Sequence, residues 1–485
     1  MSARITQFDT PADEQALHGI SHVLFVLPEL RPEALPFAAS LDARLKRSRQ
    51  GYAELGKAPL TSDLPNGIAA SWVVLSQKLE TYQRHTLLRK AVKPLLDEKP
   101  QQLAICVYGD DETRSHSAHD ALYVALVNAV ELPTRKGRQE SRPLQEISLH
   151  GWQSADEFAE VRALQNGNTL ARELTMLPPN ELTPTLYRER IRKLAEQYGW
   201  QHEEYDMERL RSMGAGAFVA VAQGSQPQDA AIVHLTYAPQ NAGKRLALIG
   251  KGICFDTGGH NLKPARYMQG MHEDMNGSAV ALGILSAATE AGLAIKIDCW
   301  LAIAQNHIGP SAYKQNDIVT ALNGMTIEVV HTDAEGRMVL SDTLTLASRG
   351  KPDFMLDFAT LTGSMGVAVG DRYSGILGNR PELLCKAIGA GRAAGERVAA
   401  FPFDEDYDEE LESSVADIKQ CTIEGGADHI LAARFLSKFI EGDVPWLHVD
   451  LSCSNRKGGL GAVASDVTGF GVAFGLQMLR AESLA

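Results

Sequence analysis

Strand-like and helix-like segments alternate along nearly the whole of this chain, and alternation of that kind leaves few architectures open. Apolar runs at residues 22–27, 69–75 and 103–108 read as strands, and segments 37–47, 82–96 and 118–130 read as helices. A strongly charged stretch, 132–143, then precedes a last strand near Ile147. The pattern predicts a small N-terminal α/β domain over residues 1–155. In 156–177, Phe158, Val161, Leu164, Leu170 and Leu174 recur near helical spacing until Pro178 and Pro179 stop the run. That segment is expected to form a long helix within a linker spanning 156–181. A larger α/β domain, 182–485, follows. Its strands are expected at 230–237, 246–255, 295–304, 354–358 and 446–451, and its helices at 277–291, 338–347 and beyond Thr468. A mostly parallel central sheet is the expected core. No internal repeat interrupts the alternation.

At 485 residues the chain is too long for one ordinary core, which agrees with two domains. A formal net charge of -13 argues against a general binder of nucleic acid or anionic membrane. Six cysteines without a C-x-x-C pair suit free thiols in a reducing cytoplasm and make a cysteine zinc site unlikely. The N-terminal residues lack the long apolar segment of a signal peptide, and no uncharged apolar stretch reaches membrane-spanning length. A soluble, cytoplasmic protein is the expectation.

The chemistry concentrates between Gly250 and Arg337. KGICFDTGG begins at Lys251, NLKP at Asn261 and HTDAEGR at His331, with Asp274 between. Asp256 follows an apolar run that reads as a buried strand ending in a Gly-rich loop, the place where ligands bind in open α/β sheets. If Asp333, Glu335 and Arg337 are extended, their spacing puts all three on one face. Asp256, Asp274, Asp333 and Glu335 gathered in one pocket would repel unless hard divalent cations sat among them. Plainer uses compete for the same residues. Thr332 and Glu335 fit a helix capping box, Asp274 fits a cap for the helix near Gly277, and isolated lysines are mostly solvated. Lys251 resists that reading, because it lies inside an apolar strand where an unpaired charge is costly.

Three other motifs fail. Gly250-Lys-Gly252 lacks the third glycine of a dinucleotide fingerprint and the hydroxyl residue of a P-loop, and His272-Glu273 lacks the second histidine of a zincin. Ser311 and Lys314 match S-x-x-K of serine acyl-transfer enzymes without the accompanying motifs, which leaves a serine hydrolase as the rival enzyme.

KGICFDTGG, NLKP, EDMNG, TDAEGR and ATLTG, in this order, closely resemble the leucine aminopeptidase family of dinuclear metallopeptidases. The resemblance implies two divalent ions, Mn2+ or Zn2+, one held by Lys251, Asp256, Asp274 and Glu335 and the other by Asp256, Asp333 and Glu335. It implies that Lys263 and Arg337 are the catalytic pair, with Lys263 stabilising the oxyanion formed when a metal-activated water attacks. Arg337 would hold a bicarbonate ion as general base. It further implies a homohexamer acting on peptides with a free N-terminus, and an apolar pocket lined by Met271, Thr360 and Gly363. Some relatives moonlight in DNA binding, a role that the acidic balance of this chain counts against. His331 stands where relatives usually carry asparagine, and His272-Glu273 also departs from the common pattern.

Overall fold

The computed structural model describes residues 3–137 and 143–483, so residues 138–142 of the charged stretch lie outside the described residues. The chain divides into two compact units. The first comprises Met1–Thr169, Arg392–Glu396 and Arg456–Thr468, and the second comprises Leu170–Gly391, Arg397–Asn455 and Gly469–Ala485.

The first unit is built on a six-stranded sheet in the order Arg4–Phe8, Glu146–His150, Gln102–Val107, His22–Leu27, Ala69–Val74 and Leu60–Asp63. All neighbours are parallel except the last pair. Every residue of His22–Leu27 is buried, as a strand covered on both faces requires. Its side chains alternate between two cores. Leu24 and Val26 pack with Leu88 and Leu122, whereas Val23, Phe25 and Leu27 pack with Leu41 and Trp72. Ala462 and Val463, from the late segment, belong to the first of these clusters. Arg89 donates from Nη1 to the carbonyls of Gly458 (2.7 Å) and Val463 (3.1 Å), tying that segment to the helix Thr81–Asp97.

The linking helix is Ala159–Thr175, shorter than the expected 156–177. Glu157 and Phe158 both have positive φ, so the helix cannot start before Ala159. The division between units falls inside it.

An eight-stranded sheet forms the second unit. Its central four strands are β1 (Lys244–Asp256), β2 (Ile295–Asn306), β3 (Phe354–Ala359) and β4 (Trp446–Asp450), ordered β4-β3-β1-β2 and all parallel. Ser374–Gly378 pairs antiparallel with β4 and Ala231–Tyr237 antiparallel with β2, while Gln201–Asp206, paired antiparallel with Ala231–Tyr237, runs in the direction of the central four. The edge strand Gln201–Asp206 is polar and escapes an apolar-run reading. Because the central strands run together, their carboxyl ends share one edge of the sheet.

Helix α1 (Asn276–Glu290) is buried all round from Asn276 to Ala288, and its small residues allow that. A Cβ on Gly277 would lie 2.1 Å from the carbonyl oxygen of Phe358, and one on Gly250 would lie 2.5 Å from Cα of Ser278. Helix and sheet approach as closely as backbones can.

The segment around Asp333 is not extended. Ala334 N donates to His331 O (3.1 Å) to close a turn, and Glu335 and Arg337 lie in the first turn of α2 (Glu335–Arg349). The capping box is not formed either. Ala334 is the N-cap, without a side-chain bond, while Thr332 Oγ1 donates to Gly258 O (2.6 Å). Likewise α1 is capped by Met275 without a side-chain bond, so Asp274 is not its cap.

Candidate metal centre

The carboxyl ends of the four parallel strands border one cleft of about 620 Å³, which Asp256 lines directly and Asn306 and Asp450 support from behind. Asp256 ends β1, and Thr360 follows β3. Asn306 ends β2 and donates from Nδ2 to Asp256 Oδ1 (2.8 Å) and to Thr332 O (3.0 Å). Asp450 ends β4 and holds the loop after β3, accepting from Leu361 N (3.0 Å), Thr362 N (3.3 Å) and Thr362 Oγ1 (2.6 Å).

Two lysines and four carboxylates meet there. Lys251 Nζ lies 2.8 Å from Asp274 Oδ1, 2.8 Å from Glu335 Oε1, and donates to Thr360 O at 2.9 Å. Thr360 Oγ1 donates to Asp274 Oδ1 (2.7 Å), so the loop held by Asp450 orients both partners of that pair. Lys263 Nζ lies 2.8 Å from Asp256 Oδ2 and 2.5 Å from Asp333 Oδ1. Asp256 Oδ1 also accepts from Gly258 N (2.8 Å). Lys251, Asp256, Asp274 and Glu335 are buried, and Lys263 and Asp333 are half-buried at the mouth.

Burial opposes the charge on Lys251, but Asp274, Glu335 and Asp256 outweigh it and raise its pKa. Lys263 is raised in the same way by Asp256, Glu335 and Asp333. Burial, reinforced by neighbouring carboxylates, pushes Asp274 up to about 8 and Asp333 up to about 7. Two ammonium groups leave four crowded carboxylates short of positive charge. Asp256, Asp333 and Glu335 present carboxylate oxygens within 4.8 Å of one another. Buried Asp274 Oδ2 and Glu335 Oε2 have no hydrogen-bond partner among the described residues. A set of oxygens of this kind, with one amine beside it, fits divalent cations. A cation there would reverse the local balance and release protons from both carboxylates and Lys251.

Arg337 is buried, donating from Nη1 to Gln420 O (2.9 Å) and from Nη2 to both oxygens of Asp428 (2.8 and 3.0 Å). Met271, Thr360 and Gly363 line the cleft, as does His331, whose Nδ1 accepts from Asp333 N (3.2 Å). Ser311 and Lys314 do not line it. Both are exposed, and Lys314 Nζ donates to Ala312 O (3.4 Å). Sequence reasoning missed Asn306, Asp428 and Asp450, which sit outside any motif and carry no spacing signal.

A parallel-sheet α/β unit with a lysine-and-carboxylate cluster at its carboxyl edge defines a metallohydrolase-like class. The chain belongs to the cytosol aminopeptidase family, whose catalytic-domain model matches residues 169–475. A probable cytosol aminopeptidase of Stutzerimonas stutzeri is 43% identical over 327 residues, which are 65% of this chain and 64% of the relative. One from Corynebacterium diphtheriae is 38% identical over 336 residues, 69% of this chain and 67% of the relative. The chain thus spans just under two thirds of the first of these relatives. Among solved structures, the bottromycin maturation enzyme BotP in complex with Mn is 28% identical with a TM-score of 0.84, covering 96% of this chain and 99% of that one.

Proposed function

We propose that this protein is a metal-dependent aminopeptidase that removes the N-terminal residue, leucine-like in character, from peptides. The observation that carries the reading is the convergence of Lys251, Asp256, Asp274, Asp333 and Glu335 on one cleft. Lys251, Asp256, Asp274 and Glu335 would hold one divalent ion, and Asp256, Asp333 and Glu335 the second, manganese or zinc in either place. Bound there, the ions would lower the pKa of a water and polarise the scissile carbonyl.

The chain supplies the rest. Thr360 and Asp450 fix the Lys251–Asp274 pair, so the ligand set is oriented before any ion arrives. Lys263 stands at the mouth, placed to donate to oxyanion charge as it develops. Arg337 seats the anionic proton acceptor, bicarbonate on the family resemblance. Met271, Thr360 and Gly363 receive the first side chain. The chemistry belongs to the part read as residues 182–485. A cytoplasmic location fits six free cysteines and relatives named cytosol aminopeptidases, and a homohexamer belongs to the same reading.

Leucyl amide and N-acetyl-leucyl amide test it together. A neutral α-amine can coordinate an ion and align the carbonyl, whereas an acetylated nitrogen cannot. Leucyl amide should be cleaved, chelator should abolish the reaction and manganese should restore it, and the acetylated amide should be inert. Comparable kcat/KM for the two amides would turn the reading toward an endopeptidase.

A further inference from the structure

Lys251 and Asp256 are an odd number of residues apart on β1, a spacing that puts two side chains on opposite faces of a regular strand. Lys251 faces α2, since a Cβ on Gly336 would lie 2.7 Å from its Cε. Asp256 nevertheless joins Glu335 of α2 in the same cluster. The reason is a slip in register: Ala304 of β2 pairs with Ile253, but Asn306 pairs with Asp256 and not with Phe255. The extra residue in β1 turns Asp256 to the face of Lys251 and sets it opposite Asn306.

Asn306 is fully buried and uses both of its amide hydrogens at that point. Nδ2 donates to Asp256 Oδ1 (2.8 Å) and to Thr332 O (3.0 Å), and Thr332 O also accepts from Tyr313 Oη (2.7 Å). The Oδ1 of Asn306 has no partner among the described residues. Turning the amide over would press that oxygen against two acceptors, so only one orientation fits. Asp256 Oδ1, which also accepts from Gly258 N, is thereby occupied, and Oδ2 is the oxygen that faces Lys263. Because Thr332 immediately precedes Asp333, one side chain ties the carboxylate at the end of β1 to the turn that carries Asp333.

We propose that Asn306 is a positioning residue for the second of the two metal positions, the one assigned to Asp256, Asp333 and Glu335. Its bonds fix Asp256 and the start of the Asp333 turn relative to each other, whereas Lys251 and Asp274 are held by Thr360 from the other side of the cleft. Asp256 serves both positions, but only the second also depends on Asp333. The inference rests on the metal-site reading above.

Manganese titration followed by calorimetry and electron paramagnetic resonance tests it without turnover. Wild type should take up two ions, with an exchange-coupled signal as the pair completes. Asp274→Asn and Asp333→Asn, each weakening one position, identify the two steps. Asn306→Leu keeps the bulk and removes both donors. It should raise the Kd of the step tied to Asp333 by about 10–100-fold, the usual loss when a ligand's outer partner is removed, and shift the other step far less. Tyr313→Phe loses one hydroxyl and keeps its ring packed, so it should weaken the same step several-fold even if Asn306→Leu does not fold. Equal weakening of both steps would mark general structural damage and overturn the proposal, as would unchanged affinities. Leucyl amide assays on the same proteins keep the two readings apart. Selective weakening in a protein that never cleaves the amide would bring down the aminopeptidase reading and leave Asn306 in its role, whereas an active wild type with unselective variants would do the reverse.

Discussion

Lys251 and Lys263 carry the same functional group in different surroundings, and the difference separates their roles. Lys251 is enclosed by Asp274, Glu335 and the Thr360 carbonyl, while Lys263, with 14% of its side chain exposed, lies at the mouth between Asp256 and Asp333. Losing Lys263 should spare metal binding and harm the chemistry. Lys263→Ala is expected to retain both ions and lose about 10²–10³-fold in kcat with little change in KM, the size found for one oxyanion donor. Metal analysis beside steady-state kinetics checks this. A change in KM alone would make Lys263 a substrate-binding residue. The lysines and carboxylates of this cluster were legible because several charges sat at fixed intervals around an apolar strand. Asp428 was not, since an acid after Gly425-Gly426-Ala427 looks like any residue of a first helical turn, where acids are common. Asn306 and Asp450 were hidden for a related reason: each is a polar residue at the end of a strand outside any motif, and only the parallel register brings those ends together.

Between elements, the close contact of α1 with β1 and β3 is what sets Asp274 against Lys251. Gly277 permits it, and a methyl there meets backbone rather than a yielding side chain. Gly277→Ala should displace the start of α1, cost about 1–3 kcal/mol or somewhat more, and weaken metal binding at the same time. Denaturant unfolding combined with manganese titration would show it, and a variant of wild-type stability and affinity would mean that the contact is slack. The elements themselves were mostly readable. The apolar runs give His22–Leu27, β1 and β3 to within two residues at either end, because strands buried on both faces are continuous in apolar residues. The strand Gln201–Asp206 was missed because a polar edge has no such run. Around Asp333 the sequence offered two alternatives, an extended run on the two-residue charge spacing and a capping box on Thr332 and Glu335, and neither forms because the local turn at His331–Ala334 leads into α2.

For the molecule as a whole, a crowded acidic site is a debt that bound cations cancel. Ions that bind the folded chain and not the unfolded one stabilise it, by about 2.7 kcal/mol when free ion exceeds its Kd a hundredfold. The thermal midpoint of the apo protein should therefore rise on adding manganese. Asp256→Ala, which removes a ligand shared by both proposed positions, should erase most of that rise. Calorimetry settles it, and an unchanged wild-type midpoint at saturating manganese would mean that the cluster holds no ion. The division into two units was suggested by chain length and by the helix before Pro178. Nothing in the alternation pattern indicated that residues 456–468 return to the first unit. That return matters while the chain is being made. Ala462 and Val463 complete an early core, and Gly458 and Val463 supply the acceptors of Arg89. Some three hundred residues separate these from the end of the first unit's main segment, a delay of roughly 15–60 s at ordinary synthesis speeds. Throughout that interval a nascent first unit exposes an unfilled apolar notch, so the newborn chain has a longer claim on chaperones than its N-terminal position suggests.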